Sequence, residues 1–304
     1  MTPEIETVYF NDGCVKSREY IYLSSKLHSL NPDEYDFSRM YFYKSGQWGR
    51  HDLEWNVNSV CYFEERDTLC ALSVQGDVHF ATTQEFRTDK IPGAGTYEGF
   101  AAVKQIRQIG KRLYVCGDQG QVYLHEKNAW VHIDEGLLER EISATALDLN
   151  SIDGSDEDDI YVVGYHGRIF HYDGKKWTEL SSPTNAHLER VRSINQDEFY
   201  FCGNNGVFFK GTKRGFLDYS VEGLEDNFWG LEYFQDKVYL ATLRNLYVFD
   251  GTSVLPLNTG LEPEIGGYRL AERDGMLWSF GVDDIAYFDG KVWNRLIHPD
   301  SPLG

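Results

Sequence analysis

Short runs of β-branched and aromatic residues alternate with turn residues along nearly the whole chain, and helical spacing of apolar positions is weak everywhere. The clearest stretch is 159–177, DIYVVGYHGRIFHYDGKKW. Gly164 and Gly167 enclose only Tyr165 and His166 between two apolar runs, which predicts a tight hairpin. Asp173 and Gly174 predict a second turn before a strand that begins near Trp177.

The same grammar recurs as LYVCGDQGQVYLHEKNAW (113–130), FYFCGNNGVFFKGTKRGF (199–216), VYLATLRNLYVFDGTSV (238–254) and LWSFGVDDIAYFDGKVW (277–293). Weaker copies lie at 69–86 and at 20–48, the latter split by an insertion, so there are seven units. Gly164, Gly203, Thr242 and Gly281 stand 39 residues apart. A period near 40 made of short strands predicts propeller blades, not a helical solenoid. The expected fold is all-β: one seven-bladed β-propeller of four-stranded antiparallel blades, at roughly 5–53, 54–92, 98–135, 142–182, 188–221, 227–258 and 265–298. In the fourth unit the strands are expected at 144–150, 160–163, 168–172 and 176–180. Trp48, Phe86, Trp130, Trp177, Phe216, Val254 and Trp293 share one place on the outer strand, which predicts packing between blades worth about 1.5–3 kcal/mol per buried ring.

These residues carry a resemblance. The string D-[IV]-[YW]-x-V-G-x-x-G-x-I-x-x-Y-D-G-x-x-W, borne most fully by Asp159, Gly164, Gly167, Tyr172, Asp173, Gly174 and Trp177, resembles the repeat of a large group of bacterial β-propellers. Phe288, Asp289, Gly290 and Trp293 match its second half; Asp197, Gly203 and Gly206 match its first. The group is related in architecture to WD40, kelch and YVTN propellers. The resemblance implies a fold and brings no catalytic residues.

Composition narrows the function. Against 29 basic residues stand 48 acidic ones, a formal charge of −19, which disfavours nucleic acid and anionic membranes and would either steer a basic partner or simply maintain solubility. The N-terminus lacks an apolar signal-like run, so a cytoplasmic location is expected. Five cysteines, Cys14, Cys61, Cys70, Cys116 and Cys202, lack metal spacing and are expected as buried thiols. The acid run 153–159 fails the calcium-loop pattern and is expected to be a solvated loop. The nine histidines scatter over different strand positions, and no metalloprotease, P-loop or serine-hydrolase string occurs. No cofactor, metal or catalytic residue is therefore expected.

What varies among the units is the turn between second and third strands, which in a propeller shares a face with the crossovers between blades. Asp118, Tyr165, His166, Asn204, Arg244 and Asp283 occupy those turns. The first unit carries the insertion 26–39 instead, with Asp33, Glu34, Tyr35, Asp36 and Phe37. Glu225 and Asp226 lie in a crossover, and Trp229 and Tyr268 come near the start of inner strands, either as exposed anchors or packed in the central tunnel. These residues are the expected contact set for a basic protein partner of a monomeric, non-enzymatic binding protein, such as a cytosolic immunity protein or antitoxin against a bacterial toxin. The alternative is a propeller enzyme of hydrolase or lactonase type, or a small-ligand binder, using the axial pocket.

Overall fold

A computed structural model describes residues 6–31, 34–96, 101–138, 147–212 and 214–301. They form seven four-stranded antiparallel sheets, each built from four strands consecutive in sequence. No blade borrows a strand from elsewhere in the chain. In the fourth blade the strands are Leu149–Asp156, Asp159–Gly164, Ile169–Tyr172 and Trp177–Leu180.

Seven hydrophobic clusters hold the ring, one between each pair of successive blades. The second and third strands of each blade are apolar on both faces because each face meets a neighbour, as in DIYVVG, buried at every position. The shared outer-strand slot packs backwards onto the preceding blade. Trp177 joins the cluster around Ile109 and Ile160 and donates its indole N–H to the Ile133 carbonyl at 2.6 Å; Trp48 joins the cluster of the last and first blades and donates to the Ile297 carbonyl. Phe86 departs from this pattern. It is 65% exposed and lies over the His79 and His51 rings, leaving the interface between first and second blades to other side chains such as Tyr22, Leu69 and Ala81.

The inner strand of the fourth blade begins later than its sequence suggests, at Leu149, so most of the acid run belongs to a strand or its edge and is not a solvated loop. Asp153 is 2% exposed and Asp159 is 7% exposed; Glu157 and Asp158 alone form the turn between those strands. The reason is topological. Inner strands line the axis, where polar side chains bridge neighbouring blades, so their apolar pattern is interrupted. Asp12 accepts the Val60 N–H at 2.8 Å, Gln105 the Ile152 N–H at 2.7 Å and Asp153 the Ser193 N–H at 3.0 Å. In the first five blades a bulge skips one residue in the pairing, at Asn11, Asn58, Lys104, Asn150 and Glu189. Asn11, Asn58 and Asn150 use the freed position to donate to a carbonyl of the next inner strand.

Because no strand is exchanged, the ring closes through the C-terminal segment. Asp300 offers its carbonyl to the Val8 N–H and its carboxylate to Tyr41 and Arg50 of the first blade. His298 is 2% exposed among Phe10, Tyr41 and Trp48, with ring centroids 4.3–5.1 Å away. Its Nδ1 accepts the Asp300 N–H, so a proton added there would break that bond. Burial lowers His298 to about 4, and does the same to His79. A histidine whose folded value lies below its unfolded one binds its proton preferentially when unfolded. Stability is therefore full above about pH 6.5 and falls as pH drops toward 4, by about 3 kcal/mol for each of these two groups. Melting temperatures between pH 7.5 and 4.5 check this, and His298→Phe is expected to flatten the decline.

The five cysteines are free, and all but the half-buried Cys61 are buried. Burial pushes the Cys116 thiol up to about 12, which keeps it inert.

Candidate interaction face

The turns between second and third strands lie against the crossovers by backbone hydrogen bonds. Tyr165 donates its N–H to the Asp148 carbonyl, Asn204 to that of His187 and Asp118 to that of Ala102. This contact explains the first glycine of the repeat: a Cβ on Gly164 would collide with the Asp148 carbonyl. The second turn residue is left-handed in three blades, with φ of 59° at Gln119, 58° at His166 and 56° at Asn205. Each of these N–H groups is capped by the residue just before the next inner strand, namely Asp148, His187 Nδ1 and Asn227 Oδ1. The variable residues are thus displayed on rigid backbone.

Among the described residues, exposed carboxylates on this end of the ring come from four of the crossovers. Glu54 precedes the second blade, Glu135 follows the third, Glu222, Glu225 and Asp226 lie between the fifth and sixth, and Glu262 and Glu264 between the sixth and seventh. Asp134, also in a crossover, is instead buried, accepting the Val122 N–H. Cations at the same end are largely neutralised: Lys90 by Asp77, Arg50 by Asp300, Arg168 by Glu179, Arg295 by Asp284 and Arg39 by Asp52 and Glu6. Arg244 is exposed beside the half-exposed Leu243. What remains is a rim of acidic charge on a fixed scaffold.

The sequence-derived contact residues share this end but differ in availability. Asp118 is tied to Lys104 at 2.5 Å, and Lys104 also bonds Asn150 and lies 4.9 Å from the Tyr165 ring centroid. Despite burial, the neighbouring Asp118 charge keeps the Lys104 ammonium above its ordinary range. Tyr165 stacks on His187 at 4.2 Å and is half-buried, whereas His166 is exposed. Asn204 and Asp283 are half-buried; Glu225 and Asp226 are exposed.

In the insertion, Asp33 lies outside the described residues. Glu34 and Asp36 are exposed, Asp36 accepts a bond from Asn56, and Tyr35 is 54% exposed on a turn closed by the Asn31 carbonyl. Phe37 turns inward against the core with Leu30, anchoring the segment. The insertion partly lengthens the hairpin, since the flanking strands Tyr20–Leu27 and Ser38–Lys44 extend beyond those of other blades.

Trp229 and Tyr268 flank the mouth of the channel with rings 5.9 Å apart, half-buried, so they are neither free anchors nor tunnel filling. Arg269 lies over the Tyr268 ring at 3.9 Å and donates to the Trp229 carbonyl. Glu54 joins the rim without having been singled out in the sequence; its place directly before the Trp55 crossover is the signal that could have found it. Inside the channel, Asp153 binds Arg107 and Arg192, and Glu232 binds Arg192 at 2.6 Å. Among the described residues no group of three His, Cys, Asp or Glu side chains could hold a metal ion.

No family model matches the chain. It is 26% identical over 305 residues to "Immune protein Tsi7" of Pseudomonas aeruginosa strain PAO1, covering 97% of this chain and all of that protein. The similarity runs from end to end. Among solved structures, the WD40 β-propeller domain of Doa1 superposes with a TM-score of 0.69 at 13% identity, over 93% of each chain. YCF48 bound to D1 peptide superposes with a TM-score of 0.62 at 13% identity, over 97% of this chain and 93% of that one. The fold is that of a WD40-like seven-bladed β-propeller, and the full-length relative is an immunity protein.

Proposed function

We propose that this protein is a non-enzymatic immunity protein that binds a basic protein toxin in the cytosol and blocks it by occupying its surface. The observation that carries the reading is the acidic rim of the crossover face, whose exposed carboxylates Glu34, Glu54, Glu135, Glu225, Asp226 and Glu262 stand on rigid backbone while neighbouring cations are paired off. End-to-end similarity to an immunity protein supports the same role. Inhibition by occlusion needs complementary shape and charge and no chemistry of its own. Three channel carboxylates have structural partners: Asp12, Asp153 and Glu232 are engaged by backbone N–H groups or arginines.

Affinity purification from the native cell at low salt, followed by mass spectrometry, is expected to recover one stoichiometric basic protein that leaves the complex in high salt. Co-expression should protect cells from that protein. Recovery of the chain alone, carrying a bound sugar or metal, would favour the enzyme or small-ligand alternative.

A further inference from the structure

The axial channel holds a cavity of about 280 Å³ lined by inner-strand residues. Midway along the axis, Arg107 and Arg192 share Asp153, and Arg192 also binds Glu232. Toward the opposite end Arg273 meets Glu64 at 2.9 Å. At the crossover end, Arg190 and Arg269 face the cavity, with Asp12 and Glu189 as the neighbouring carboxylates. Asp12 is already committed: Oδ1 accepts the Gly13 N–H at 2.9 Å and Oδ2 the Val60 N–H at 2.8 Å, and it stays 3.7 Å from Arg269 Nε.

Arg269 spends its two terminal nitrogens on the Trp229 carbonyl and the Tyr268 hydroxyl, and its buried Nε has no hydrogen-bond partner. Among the described residues, Arg190 donates only to the carbonyl of Glu189, at 2.6 Å. Burial, with the like charge of Arg269 beside it, pulls Arg190 down to about 10. Two half-buried guanidinium groups next to each other, with unfilled N–H directions and an adjoining cavity, are an arrangement that an oxyanion completes.

We propose that the mouth of the channel between Arg190 and Arg269 is a binding site for a small oxyanion, a carboxylate or a phosphate. The anion lies against both guanidinium groups and accepts from their open N–H directions, with the Trp229 and Tyr268 rings at its edge. This site does not depend on the immunity reading, and it lies inside an acidic rim that would otherwise repel anions, so its affinity rests on the half-buried pair and not on the protein's overall field.

The test is thermal unfolding and Trp fluorescence of the full chain in inorganic phosphate, in acetate and in chloride at matched ionic strength. Phosphate is expected to raise the melting temperature by about 2–4 °C over chloride near ten times its dissociation constant. Arg190→Met is expected to abolish that difference. Arg269→Lys, which keeps the charge but loses the fork, should weaken the response and serves if the first variant does not fold. A response to phosphate alone identifies a free multiply charged anion as the natural occupant; an equal response to acetate identifies a carboxylate. Equal melting in all three salts, or an undiminished phosphate response in both variants, would overturn the site.

Discussion

Asp153→Asn is expected to lower stability by about 3 kcal/mol and the melting temperature by about 5 °C, the largest loss among single channel substitutions. Asp153 is 2% exposed and is the carboxylate shared by two arginines from the adjacent inner strands, Arg107 at 2.8 Å and Arg192 at 3.1 Å, and by the Ser193 N–H. Burial by itself would raise its protonation range, but the two guanidinium charges and the backbone donor outweigh it and hold the group below the usual carboxylate value. An amide in its place cannot balance either cation. Arg192 retains Glu232, and Arg107 is partly solvated, which is why the loss stays below that of a fully buried orphan charge. Because the folded value of Asp153 is depressed, its contribution is present above the unfolded carboxylate range and is lost as pH falls through the folded value. Urea titration of wild type and variant measures the difference. An unchanged midpoint would show that the inner ring is held by its backbone contacts alone.

Reversing Glu34, Glu225 and Asp226 to lysine together is expected to weaken binding of the basic partner by about 100-fold or more at low salt, chiefly by slowing association. All three side chains are exposed and lie on the insertion and a crossover, away from the blade cores. Surface changes of this kind leave stability within about 0.5 kcal/mol per site, so the melting temperature should barely move. Long-range steering is the reason the effect should be large: the positive charges at this end are mostly paired, and removing carboxylates there inverts the local field instead of diluting it.

The blades were legible because their second and third strands meet neighbours on both sides, which enforces apolar runs such as DIYVVG and FYFCG at a fixed period. The glycine at the end of those runs was legible for a steric reason, the close pass of the crossover carbonyl. Inner strands were not. Leu149–Asp156 carries Asn150, Ser151 and Asp153 because it bonds sideways across the axis, and a polar strand of that kind resembles a loop when its partners lie some 40 residues away in sequence.

Variation among turns picked out residues that share one end of the ring but did not show which of them are available. Asp118 and Tyr165 vary like their neighbours, yet Lys104 and His187 occupy them from within. Lys104 lies on the inner strand of the same blade as Asp118, and His187 in the crossover to the next blade, both well away in sequence, so the turn itself carries no sign of them. Similarly, the recurring aromatic slot predicted Phe86 in an interface, whereas that side chain stands exposed over two histidines.

The central claim, that the crossover face is where the partner binds, is tested most directly by comparing equal charge reversals at the two ends of the ring. Dissociation constants for the purified partner would be measured for wild type, for the Glu34, Glu225 and Asp226 variant, and for a variant with Glu19→Lys, Glu65→Lys and Glu85→Lys in exposed turns of the opposite end. A loss confined to the first variant, with all three proteins melting together, is the predicted result. Equal affinities for wild type and the first variant, or a larger loss in the second, would contradict it.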